Sequence, residues 1–171
     1  AASDVYKRQS AGCKARCKER KREGMVRFAV IGTSAITTRF LEALAAAGQG
    51  AVLQAVYSRT KQRAQAFGAQ YGAKAYYDSL QALAADKNVD AVYIASPNSL
   101  HYEQSKLFLQ NGKHVICEKP ITVEPEQLEE LQQLAQQKQL IYLEALIGVY
   151  LPQMQVLKGA VERLGRVHLA R

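Results

Sequence analysis

Cysteine is scarce and unpaired in this chain: three residues in 171, an odd number that excludes a disulfide scaffold. Cys13 and Cys17 stand in a basic opening segment and Cys117 in an apolar, β-prone run. The Cys13-Lys14-Ala15-Arg16-Cys17 spacing has no second ligand pair to complete a zinc site, so no metal centre is expected. Long apolar runs are also missing. None reaches the length that spans a bilayer, and the opening segment lacks the apolar core of a signal peptide, so the expected location is the cytoplasm. What remains is an ordinary globular composition and enough residues for one domain with a full hydrophobic core.

Acidic residues are outnumbered, and the formal charge of +8 would suggest a nucleic-acid partner if it were spread over the fold. It is not. Residues 1–24 hold eight cations against Asp4, Glu19 and Glu23, which leaves only +3 for the other 147 residues. That leader has neither helical nor strand periodicity and is expected to be disordered. Lys21-Arg22-Glu23-Gly24 ahead of Met25 is what a purine-rich ribosome-binding stretch gives when read in frame, so Met25 is the expected native start. A basic arm for nucleic acid is the rival reading. It has no aromatic residue beyond Tyr6 and no adjoining DNA-binding motif.

From Met25 onward, short apolar runs alternate with helical patterns. Val26 to Ile31, Ala51 to Tyr57, Ala75 to Tyr77, Ala91 to Ala95, His114 to Cys117 and Leu140 to Leu143 read as strands. Between them, apolar residues recur at helical spacing: Phe40, Leu41 and Leu44; Ala64, Phe67 and Tyr71; Leu80 and Leu83; Leu100, Leu107 and Phe108; Leu128, Leu131 and Leu134. Asp78 is the expected cap of the third helix and Asn98 or Ser99 that of the fourth, while Pro125 opens the fifth. A last helix begins at Leu151-Pro152 and ends at Gly165. Strands alternating with helices give an α/β fold, a doubly wound parallel sheet of Rossmann type.

Glycine is short where such folds usually need it. Gly32-Thr33-Ser34-Ala35-Ile36-Thr37 follows the first strand, but Ser34 and Thr37 stand where the G-x-G-x-x-G fingerprint has its second and third glycines. An acid is absent too. After the second strand, where an NAD-binding fold places a carboxylate for the ribose hydroxyls, this chain has Ser58-Arg59-Thr60, with Arg63 a turn further on. Those four residues form a candidate site for the extra phosphate of NADP, a guanidinium being suited to a bidentate contact. The alternative is a solvated helix start. NAD remains possible as the cofactor.

Gly112-Lys113-His114-Val115-Ile116-Cys117-Glu118-Lys119-Pro120 carries the chemistry. A short strand there delivers an acid, an amine and a proline at its C-terminal end, where Lys119 can bond a substrate hydroxyl or pass a proton. Lys119 can also be read as a surface lysine in a turn. Gly32, Arg59, Ser96-Pro97-Asn98, Glu118-Lys119 and Glu144 each fall at the C-terminal end of an expected strand, the edge where open α/β sheets bind ligands. His101, in the first turn of the fourth helix, is expected near the nicotinamide side of a bound cofactor, or else is structural.

Ala29 to Ser34, Tyr57 to Thr60, Ser96 to His101, Gly112 to Val115 and Glu118-Lys119-Pro120, in this order and spacing, resemble the Gfo/Idh/MocA oxidoreductases, which include glucose-fructose oxidoreductase and inositol dehydrogenase. The resemblance implies a Rossmann domain for NAD or NADP over residues 25–145, with residues 146–171 as the start of a larger α/β domain that carries substrate and oligomer contacts. It implies hydride transfer between nicotinamide and a hydroxyl or carbonyl of a sugar, polyol or related diol, in a homo-oligomer. Lys119 is then the lysine that meets both cofactor and substrate, and Glu118 helps hold it. Gly32, Thr33, Ser34, Ala35 and Ile36 cradle the pyrophosphate, with Ser96, Pro97, Asn98 and His101 along the same rim. The second acid-base residue, a His or Tyr, comes from the further domain, so the chain alone is expected to turn over little. A non-catalytic nucleotide sensor on the same fold is the alternative, and an intact Lys119 argues for the enzyme.

Overall fold

A computed structural model describes residues 24–146, 148 and 152–164. The readings made for the leader over residues 1–23 and for the last helix's opening at Leu151 and end at Gly165 lie outside the described residues. Six strands form one sheet: β1 Val26–Ile31, β2 Ala51–Tyr57, β3 Ala75–Tyr77, β4 Ala91–Ile94, β5 His114–Cys117 and β6 Tyr142–Glu144. Their order is β3-β2-β1-β4-β5-β6 and every pairing is parallel. Parallel neighbours need a crossover, and the helices supply it: α1 Ala35–Ala46, α2 Lys61–Gly68, α3 Leu80–Ala85, α4 His101–Gln110 and α5 Pro125–Gln137. A further helix, α6, spans Pro152–Leu164. The strand order reverses between β1 and β4, so the crossovers leave a crevice at that point.

Side chains alternate across the central strands, and each face has its own core. Ala29 and Ile31 of β1 with Val92 and Ile94 of β4 pack on one side against Leu83, Phe108, Leu109 and Leu131 of α3, α4 and α5. Val30 and Tyr93 face the other side, with Leu41 of α1 and Ala64 of α2. Phe108, Leu109 and Leu131 are fully buried, each such side chain contributing about 2 kcal/mol of transfer free energy. At the N-terminal edge, the Arg27 guanidinium donates to both carboxylate oxygens of Asp90, at 3.0 and 2.9 Å, and the Arg27 backbone N–H donates to the same group. The starts of β1 and β4 are thereby fastened together.

Three local expectations are corrected. Ser79, not Asp78, caps α3: its Oγ accepts from the Ala82 N–H at 3.2 Å, so the helix starts one residue later. Neither Asn98 nor Ser99 caps α4, because Asn98–Leu100 form a 3-10 turn after the extended Pro97 and the α-helix begins only at His101. The last strand starts at Tyr142 rather than Leu140, since the Leu140 N–H is still engaged by the Ala135 carbonyl in closing α5. Gly112 ends α4 with φ +76, a conformation that glycine adopts without penalty, and the chain turns directly into β5.

Candidate cofactor site

Register places the strand ends in one row. Ile31 pairs with Tyr57 and Ile94, Ile94 with Cys117, and Cys117 with Glu144. Gly32, Ser58, Ala95 and Glu118 therefore emerge side by side along the C-terminal edge. Only β4 separates β1 from β5, a span of roughly 10 Å at the usual strand spacing, so the Gly32 turn and the Lys119 backbone lie within a ligand's length of each other on the same edge.

The turn after β1 depends on its single glycine. Gly32 has φ +102, and a Cβ there would lie 2.6 Å from the Ala95 carbonyl oxygen, so the turn passes against β4 with no room for a side chain. Its N–H donates to the Tyr57 carbonyl at 3.3 Å. Ser34 occupies the cap position of α1 with extended backbone and no side-chain cap, and Ser34 and Ala35 are exposed. The first turn of α1 thus presents N–H groups outward, as a pyrophosphate requires. Thr37, at the third fingerprint position, is fully buried with its hydroxyl 3.4 Å from that of Ser34.

Beyond β2, Arg59, Thr60 and Arg63 are exposed. Thr60 Oγ1 caps α2 by accepting the Arg63 N–H, and Arg63 Nε donates to Thr33 Oγ1 at 3.0 Å, which ties the guanidinium to the glycine turn. Ser58 departs from its expected role. It is buried and its N–H donates to the Tyr77 carbonyl, so it finishes the strand and leaves the exposed contacts to its neighbours.

His101 is the clearest correction among the rim residues. Its ring is fully buried, with Nδ1 2.8 Å from the Pro120 carbonyl oxygen and Nε2 2.9 Å from that of Ser96. It cannot touch a cofactor from there. Instead it joins the loop after β4 to the loop after β5, the two loops that carry Ser96 to Asn98 and Lys119. Pro97 and Asn98 are exposed on the first of these, and Ser96 Oγ donates to Gln104 Oε1 of α4 at 2.7 Å.

Lys119 is exposed, and three side chains hold the backbone around it. Glu118 Oε2 accepts the Lys119 N–H at 3.3 Å, His101 meets the Pro120 carbonyl, and Glu144 Oε1 accepts the Ile121 N–H at 2.9 Å. The Lys119-Pro120 peptide is cis. Glu118 itself is buried, with Oε1 accepting the Tyr93 hydroxyl at 2.5 Å. Burial, and then the hydrogen bond to Glu118, raise the Tyr93 phenol far above its ordinary range, so it stays protonated and donates. Cys117, one residue before Glu118, is pushed up to about 12 by burial and is no nucleophile at neutral pH. A largely apolar cavity of about 280 Å³ adjoins Glu118, lined by Ile36, Phe40, Tyr93, Ile116 and Leu143. Tyr93, Gln104 and the clasping role of His101 escaped the sequence reading. One signal for Tyr93 was available: a phenol in an otherwise aliphatic buried strand must find a partner.

This rim, a glycine turn against β4, a helix N-terminus, two exposed guanidinium groups and an exposed lysine on a held stretch of backbone, is what a dinucleotide-binding half of an oxidoreductase presents. The family model described as "Oxidoreductase family, NAD-binding Rossmann fold" matches residues 26–146, and the chain belongs to this family of Gfo/Idh/MocA oxidoreductases. The scyllo-inositol 2-dehydrogenase (NADP(+)) IolU of Bacillus subtilis (strain 168) is 45% identical over 143 residues, 84% of this chain and 43% of that protein. The D-xylose 1-dehydrogenase (NADP(+)) of Hypocrea jecorina is 43% identical over 76 residues, 44% of this chain and 19% of that protein. Among solved structures, KijD10, a 3-ketoreductase from Actinomadura kijaniata in complex with NADP and TDP-benzene, superimposes with a TM-score of 0.77 at 32% identity, over 82% of this chain and 43% of that one. The chain spans less than half the length of these relatives. No helix among the described residues is long and apolar enough to cross a membrane.

Proposed function

We propose that this chain is the cofactor-holding part of an NADP-dependent oxidoreductase acting on a hydroxyl or carbonyl of a sugar, polyol or related diol. The observation that carries the cofactor reading is the end of β2, where Arg59 and Arg63 are exposed beside the glycine turn and Ser58-Arg59-Thr60 contains no carboxylate. A carboxylate there would repel a 2′-phosphate, whereas a guanidinium meets it with two parallel N–H donors. Relatives named as NADP(+) enzymes of inositol and xylose support both the cofactor and the substrate class. Bound NADP supplies the carbon that accepts or gives the hydride. The chain's own groups do the rest: the first turn of α1 receives the pyrophosphate, and Lys119 hydrogen-bonds the substrate oxygen and shares a proton with it as the hydride moves. Gly32 to Ile36 and Ser96 to Asn98 form the two walls between which the dinucleotide lies. Residues 25–145 form the cofactor domain and residues 146–171 lead into the part that holds the substrate.

Fluorescence titration with NADPH and NADH tests this reading. Arg59→Ala should weaken NADPH roughly tenfold, the loss expected for one charge-assisted contact, and leave NADH nearly unchanged. Equal losses for both cofactors would refute a role in selecting the phosphate.

A further inference from the structure

Tyr93 lies on β4 directly opposite Ile116 of β5, so Glu118, two residues on and just past the end of β5, is its diagonal neighbour on the same face of the sheet. That face is the one α1 covers. Phe40 of α1 stacks on the Tyr93 ring with centroids 3.9 Å apart and planes within 4° of parallel. Tyr93 is almost completely buried and Glu118 nearly so, and the phenol donates to Glu118 Oε1 while Oε2 takes the Lys119 N–H. Among the described residues no cation pairs with Glu118, so the phenol is the strongest donor that its carboxylate has. Four residues thus run in an unbroken line from the helix that faces the pyrophosphate to the lysine that faces the substrate: Phe40, Tyr93, Glu118, Lys119.

We infer that Tyr93 is a positioning residue for Lys119, fixing the Glu118 carboxylate so that the lysine backbone keeps a set distance from the N-terminus of α1. The inference rests on the reading of Lys119 as the working amine. Glu118 has three side-chain torsions and, without a partner for Oε1, is no longer fixed in one rotamer, and the adjoining cavity leaves it room to turn. Its second oxygen then leaves the Lys119 N–H, and the loop keeps only the clasps at Pro120 and Ile121. The stack on Phe40 does the complementary task of denying the phenol ring another orientation. A phenylalanine at position 93 keeps the ring, the stack and the burial and removes only the hydroxyl. It therefore separates positioning from packing.

The first measurement is amide hydrogen exchange in the chain without ligand. Tyr93→Phe should speed exchange at Lys119 roughly tenfold and leave Val92 and Val115, inside the same strands, unchanged. Unaltered exchange at Lys119, or a uniform rise across β4 and β5, overturns the inference. The second is a double-mutant cycle on NADPH affinity. Tyr93→Phe should weaken NADPH roughly fivefold in the native chain and have no further effect in a Lys119→Ala background. Equal weakening in both backgrounds overturns it, because the hydroxyl would then act without the lysine. Should Tyr93→Phe melt below the assay temperature, Phe40→Leu, which frees the ring but keeps the hydroxyl, carries the same exchange test with a smaller expected rise. If Lys119→Ala leaves NADPH binding intact, the assignment of Lys119 falls, while the exchange result at Lys119 still decides whether Tyr93 holds it.

Discussion

A methyl group at position 32 would sit 2.6 Å from the Ala95 carbonyl oxygen, on a backbone whose φ of +102 already disfavours any side chain. Neither conflict is relieved by rotating a flexible neighbour, because the opposing atom belongs to the backbone beyond β4. Gly32→Ala should therefore cost at least about 2 kcal/mol of stability and also displace the first turn of α1 from its partner loop. Thermal melts with and without NADPH check this: a lowered melting temperature that NADPH no longer raises is the expected outcome. A variant with native stability and affinity would mean that the turn can relax. The two missing fingerprint glycines are explained at the same scale. Ser34 is exposed at the helix cap, where a small polar side chain fits, and Thr37 is buried with its hydroxyl near that of Ser34. Only the first glycine is required by contact, and only the first is present.

Among the elements, β1 and β4 carry the site at one end and are fastened at the other by Arg27 and Asp90. The hydrogen bond from Arg27 is the main cause holding the Asp90 carboxyl below its ordinary value, with burial opposing it. A carboxyl whose folded value is depressed adds stability that is fully present above the unfolded value near 4 and is lost as pH falls through the folded one. Asp90→Asn should lower the melting temperature by a few degrees at pH 7, and the gap between native and variant should close as pH drops from about 5 toward 2. Circular-dichroism melts across that range decide it, and a gap that persists in acid would show that the amide disturbs packing rather than charge. Strand identities were legible in the sequence because β1, β2 and β4 are apolar runs bounded by Gly, Ser and Pro. Helix starts were less so, because Asp78 and Ser79 are both good caps and only the backbone's path chooses between them.

At the scale of the whole molecule, the rim was legible as a set of residue types but not as a set of contacts. Strand ends in a parallel sheet must fall on one edge, so Gly32, Arg59, Ser96, Glu118 and Glu144 could be grouped from order alone. Which of them face the crevice is decided by long-range packing: His101 and Ser58 turned inward, and Tyr93 joined Glu118 from a neighbouring strand. Such a rim draws residues from every central strand, so ligand binding is linked to opening of the entire sheet rather than of one loop. Cys117 reports that opening. It has no exposed surface, lies on β5 between β4 and β6, and holds a thiol that burial pushes up to about 12. In a chain with Cys13→Ser and Cys17→Ser, a disulfide reagent can reach Cys117 only when the sheet opens. NADP at one hundred times its dissociation constant should then slow labelling roughly a hundredfold, because it binds the closed form alone. Arg59→Ala should lose most of that protection at the same NADP concentration while the rate without ligand stays the same. Labelling that ignores NADP would mean that β5 opens by itself, with the rest of the rim still able to hold the dinucleotide.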